Sequence, residues 1–94
     1  MLSKIPIDLS KVGREDLDKE ILRVGLIAEL DAINLYEQMA NMAGNENVRK
    51  VLLDIAREEK THVGEFLALL LKLDGEAVKE LEKGKEEIEE LTEK

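Results

Sequence analysis

The sequence predicts an all-α fold: an antiparallel two-helix hairpin plus a short C-terminal helix, with hairpins from two chains pairing into a four-helix bundle. Three observations carry this. Apolar residues recur at steps of four and three along two long stretches, which is the period of one helix face. The stretches are parted by a break of a few residues, Ala43 to Asn47, and so short a link folds neighbouring helices back antiparallel. Finally, the 94 residues include one Phe, one Tyr and no Trp. The core must then be Leu, Ile, Val and Ala, which suits packed helices.

Residues 1–13 hold the only proline, Pro6, and end at Gly13, so they read as an irregular arm. The first helix is expected over 14–43, with Glu15 and Asp16 where acids favour a helix start. Its stripe is Leu22, Leu26, Glu29, Ile33, Tyr36 and Ala40. Gly44 can close this helix in a left-handed conformation, and Asn45 can cap the next. The second helix is expected over 45–73, with the stripe Val48, Leu52, Ile55, Glu59, His62, Phe66, Leu69 and Leu73. Asp74 and Gly75 end it. A third helix over 76–92 has a thin seam of Val78, Leu81, Ile88 and Leu91, weakened by Gly84 and flanked by glutamates. A charged helix with so narrow a seam needs something to pack on, such as a neighbouring chain. The whole reads as one domain, 1–94.

Composition narrows the function. The net charge is −8, and such a surface repels nucleic acid and anionic membrane while attracting cations. There is no Cys, so no disulfide, Fe–S cluster or thiol nucleophile is available. The longest apolar run, Phe66 to Leu71, falls far short of the ~20 residues of a membrane span. No basic-then-apolar leader opens the chain, so the expectation is a cytoplasmic protein.

The informative residues are the polar ones inside the apolar stripes. A carboxylate there is costly to bury unless paired or metal-bound. Counted from Gly44, Glu29 lies about 15 residues back and Glu59 about 15 forward, so both stand ~22 Å from the turn. His62, the one histidine, is three residues beyond Glu59 and shares its face. Ferritin-like di-iron bundles use a Glu from each of two helices and a Glu-x-x-His from each of the other two. This chain has one of each, and a two-fold axis through the site would supply the rest. Oxygen and nitrogen donors of this kind suit Fe, Mn or Zn, and open positions with redox use favour iron, as a di-iron centre. A metal-free polar layer is the competing reading, since a lone Glu-x-x-His is common by chance. Tyr36, two turns from Glu29 on the same stripe, is either a hydrogen-bonding or electron-donating neighbour of the site or a core tyrosine. Asp31, Glu58 and Glu65 flank the ligand face as solvated helix acids or as auxiliary or access sites for the ion.

Two segments, Ala28 to Gln38 (AELDAINLYEQ) and Arg57 to His62 (REEKTH), resemble the encapsulated ferritins. The resemblance runs from about Leu22 to Leu73. It implies a ferritin-like bundle, dimers that build a ferroxidase centre, and dimers assembled into a ring, often a decamer, inside an encapsulin shell. By position, Glu29, Glu59 and His62 match the family's iron ligands, and Tyr36 matches a tyrosine beside the centre. Asp31 matches an acid that guides iron in. Ala28 and Leu35 depart from the family, where some members carry a second acid and a Trp. The resemblance therefore implies a ferroxidase, with iron stored inside an encapsulin nanocompartment. Some relatives are fused to the shell protein, and the C-terminus here shows no clear shell-targeting peptide.

The alternative is a non-catalytic metal-binding helical assembly module, with Zn or Ca as plausible occupants. A third reading is a metal-free interaction domain. A rubrerythrin-like peroxidase is disfavoured, because no Cys can hold its additional iron.

Overall fold

The computed structural model describes residues 8–11 and 13–92; the expected irregular arm over 1–13 therefore lies largely outside the described residues. Of the arm, Leu9–Lys11 form a short 3₁₀ turn. A second 3₁₀ turn, Arg14–Asp16, leads into α1, Leu17–Met42. Helix α2 is Glu46–Leu73, and α3 is Gly75–Thr92.

The helix ends differ from expectation in instructive ways. The acids Glu15 and Asp16 sit in a 3₁₀ turn ahead of α1 rather than in its first α-turn. Gly44 does not close α1 in a left-handed conformation. The chain leaves instead through Ala43, extended at φ −70° and ψ 131°, whose N–H still bonds Ala40. Asn45 then caps α2: its side-chain oxygen accepts from the N–H groups of Asn47 at 2.8 Å and Val48 at 3.1 Å. Two of the donors that a helix start leaves orphaned are thereby satisfied. Asp74 does the same for α3, accepting from Ala77 N–H at 3.0 Å. One residue thus separates α2 from α3, and the chain turns a corner there.

Helices α1 and α2 form the hairpin. Cross-helix pairs fix an antiparallel register. Lys60 bridges to Glu37 at 3.2 Å, and His62 lies beside Glu29. Phe66 packs against Gly25, and Arg23 bridges to Asp74 at 3.2 Å. Each step back along α1 is matched by a step forward along α2.

The core between them is thin. Ile33, Ala40, Ala56 and Leu70 are buried, whereas Val48, Leu69 and Leu73 of the expected α2 stripe are about half exposed, at 50, 52 and 50%. A pair of helices covers each stripe from one side only. The exposed surface is 7198 Å² for 10.6 kDa, against roughly 5,500 Å² for a compact monomer of that mass. Helix α3 adds to the excess: every residue from Val78 to Thr92 is exposed. The molecule spans 46 × 45 × 20 Å, a flat shape with α3 as the projecting limb. Among the described residues, no helix is long and apolar enough to cross a membrane.

Candidate metal centre

The site lies at mid-height of the hairpin, as the equal distances of Glu29 and Glu59 from the turn require. Glu29 comes from the middle of α1; Glu59 and His62 come from the middle of α2. The Nδ1 atom of His62 is 2.7 Å from Glu59 Oε1 and 3.4 Å from Glu29 Oε2. One donor atom from each of the three lies within 4.8 Å of the others. That is the compass of a single metal ion, whose bonds to such donors run near 2 Å and span ~3–4 Å between ligands.

Bringing these groups together shifts the protonation of two of them. Burial raises the Glu29 carboxyl above its ordinary value, and its hydrogen bond and like charge with Glu59 add to the rise. The nearness of His62 works the other way, but the net shift is upward. Burial lowers His62. The hydrogen bond to Glu59 and the charges of Glu29 and Glu59 outweigh it, so His62 holds its proton more tightly than a free imidazole. A divalent cation would take over the role that this proton plays: neutralising two carboxylates that face each other. The nitrogen aimed at the carboxylates is Nδ1, so Nδ1 is the atom positioned to bind. Carboxylate and imidazole donors fit Fe, Mn or Zn rather than the soft metals that thiolates select.

The other candidate residues fall elsewhere. Tyr36 is half-buried on the Glu29 face. It lies seven residues on, ~10 Å along the axis, and its side chain leans back toward the site as helix side chains do. It is not part of the three-residue group. Asp31 is also outside it. Two residues from Glu29 means roughly 200° around the helix, so Asp31 leaves the ligand face. With 8% of its surface exposed, it is buried, against the solvated-acid reading, one of the two expected for it. Glu58 and Glu65 are exposed.

Sequence reasoning missed the surroundings of the ligands. An open hollow of about 350 Å³ adjoins Glu29 and His62, and Glu65, Phe66 and Leu69 complete its lining. Phe66 was visible as a stripe residue. Its close approach to Gly25 was not, although a glycine one turn before Glu29 facing an aromatic one turn after His62 was a usable sign.

A helical hairpin that sets a carboxylate opposite a carboxylate-x-x-imidazole has the ferritin-like fold, with three side chains that could hold a metal ion. The comparisons agree. Residues 20–93 match the family described as Rubrerythrin, and the chain belongs to that family, among its encapsulated ferritin-like members. The structure is similar to the crystal structure of the encapsulated ferritin domain from Pyrococcus furiosus, with a TM-score of 0.83 and 61% identity, covering 98% of this chain and 96% of that one. In sequence it is 71% identical over 73 residues, 78% of the chain, to a ferritin-like–encapsulin shell fusion protein of Pyrococcus furiosus. It is 37% identical over 70 residues, 71% of the chain, to the encapsulin nanocompartment cargo protein EncC of Myxococcus xanthus. The chain spans 21% of the length of the fusion protein and 54% of the cargo protein. These 94 residues contain no Cys.

Proposed function

We propose that two copies of this chain pair through the Glu29–His62 face and oxidise Fe(II) to Fe(III) at the shared centre, for storage within an encapsulin shell. The observation that carries the reading is the convergence of Glu29, Glu59 and His62 within 4.8 Å, beside an open hollow whose Leu69 remains about half exposed. About 1,700 Å² of surface beyond the expectation for a compact monomer supports a protomer built to be covered. Ring assembly of the dimers, as a decamer, uses the exposed seam of α3. The relatives' names supply the shell.

Charge explains why a pair of chains would hold two ions. Two copies bring four carboxylates and two imidazoles. Two Fe(II) ions neutralise the four carboxylates, with Glu59 of each chain suited to bridging. Each Fe(II) then gives up one electron; dioxygen takes the pair with two protons and leaves as hydrogen peroxide, or peroxide itself accepts them. Oxidation adds two positive charges that the four carboxylates no longer balance, which favours departure of Fe(III) as a mineral precursor. Tyr36, the one tyrosine, is placed to assist as a hydrogen-bonding or electron-donating neighbour.

The test is oxygen consumption, or loss of Fe(II), on adding Fe(II) to the metal-free protein. Rapid turnover dependent on Glu59 and His62 supports the ferroxidase. Stoichiometric metal uptake with no turnover would replace it by the metal-stapled assembly module.

A further inference from the structure

Of the six glycines, Gly25 is the one where a side chain would collide with the structure. A Cβ built there would lie 2.7 Å from Phe66 Cε1 and 2.9 Å from Cζ, closer than real carbon contacts allow. Gly64 and Gly84, also inside helices, meet nothing within 4 Å. A glycine inside a helix weakens it relative to alanine, so Gly25 needs a reason, and the ring of the chain's one phenylalanine is that reason.

The contact lies one turn from the ligands on both helices. Gly25 is four residues before Glu29, and Phe66 is four residues after His62. Helix side chains lean toward the N-terminus. The Phe66 ring therefore leans toward His62, and the Glu29 carboxylate leans toward Gly25. All three border the same hollow, for Glu29, His62 and Phe66 line it together. With the ring laid against the α1 backbone, the two helices meet through backbone on one side and an aromatic edge on the other. The contact lies beside a donor set whose cross-helix distance is 3.4 Å.

We propose that the Gly25–Phe66 contact sets the spacing between Glu29 and His62, making Phe66 a positioning residue for the metal centre. The inference rests on the metal reading above. It adds that the geometry of the centre is held by a steric device outside the ligands. Adding one methyl at position 25 displaces the ring and with it the cross-helix distance. Shortening residue 66 removes the contact and lets the helices settle differently. The two changes made together compensate, because the shorter side chain leaves room for the methyl.

The test is Co(II) binding to the metal-free full chain, followed by the visible absorption that reports its coordination geometry. Gly25→Ala is expected to weaken Co(II) binding about 10-fold or more, the range typical of disturbing the support of metal ligands, and to change the spectrum. Phe66→Leu changes the spectrum in its own right. The double variant returns toward the parent in both readouts, and Gly64→Ala, set in open space, matches the parent throughout. A Gly25→Ala protein with parental spectrum and affinity would overturn the proposal, as would a double variant that shows no recovery. If Gly25→Ala does not fold, Phe66→Leu decides: an unchanged spectrum contradicts the proposal. A parent chain that takes up no Co(II) would remove the metal reading and this inference with it. A parent that binds Co(II) but does not oxidise Fe(II) would remove only the ferroxidase.

Discussion

The hairpin and α3 are built from similar helices, yet they stand in opposite situations. In the hairpin, α1 and α2 register against each other through Glu37–Lys60, Glu29–His62, Gly25–Phe66 and Arg23–Asp74. Helix α3 has a comparable amphipathic seam, but Val78, Leu81, Ile88 and Leu91 are 45–81% exposed. The hairpin is specified within one chain. Among the described residues, the Asp74 cap and its Arg23 bridge hold the start of α3. The lesson is a division of labour: the chain alone brings Glu29, Glu59 and His62 together, and under the proposed function other chains complete the centre and cover α3.

Breaking the hairpin's polar level should have the largest effect. His62→Ala or Glu59→Ala is expected to cut the rate of Fe(II) oxidation by more than ~100-fold, beyond the 10–100-fold typical of losing a ligand's supporting partner. Stopped-flow oxidation at 300 nm checks this, and fast oxidation in either variant contradicts the ligand assignment.

Truncation sharpens the contrast between the two regions. Leu70 is 6% exposed, and Leu70→Ala should destabilise the hairpin by about 2–5 kcal/mol. Leu81 is 52% exposed. Leu81→Glu should leave circular dichroism and the melting of the dimer close to parental while lowering the assembly mass in sedimentation. Equal thermal losses in the two variants would mean that α3 packs within its own chain.

The pH dependence follows from the raised values of Glu29 and His62. Both bind protons more tightly in the folded chain than in the unfolded one. Their contribution to the stability of the metal-free protein is complete below the ordinary values, 4.5 for Glu29 and 6.5 for His62. It is lost as pH rises through the higher folded values. Metal needs the same groups deprotonated, so affinity runs the other way, rising over that window. Titrating Zn(II) affinity and denaturant midpoint from pH 5 to 8 checks both slopes. Flat affinity would mean that these groups do not bind the metal.

The smallest effect belongs to the turn. Asn45→Ala removes two accepted hydrogen bonds and should cost about 1 kcal/mol, read as a lower melting temperature with Fe(II) oxidation unchanged at 25 °C.

These regions also differ in how far they could be read from residues alone. The hairpin was legible because helical period, a short break and equal chain distance act independently, and all three place Glu29 beside Glu59 and His62. Asn45 as a cap was legible because short polar side chains bond locally. Gly44 was misread, since a glycine after a helix is only permitted, not obliged, to turn left-handed, and Ala43 leaves in an extended conformation instead. The solvated reading of Asp31 failed because its face of α1 carries a mixed pattern, and burial there depends on tertiary cover that periodicity does not encode. The Gly25–Phe66 contact was hidden because it depends on inter-helix distance to within an ångström. The seam of α3 was legible as apolar, but nothing within the chain covers it among the described residues.

The most direct test of a centre shared between chains is native mass spectrometry with and without Fe(II). Assemblies of even chain number carrying two metal ions per pair of chains, absent in Glu59→Ala, are the expected result. Metal retained on single chains, or paired chains that form and persist with no metal uptake, would contradict it.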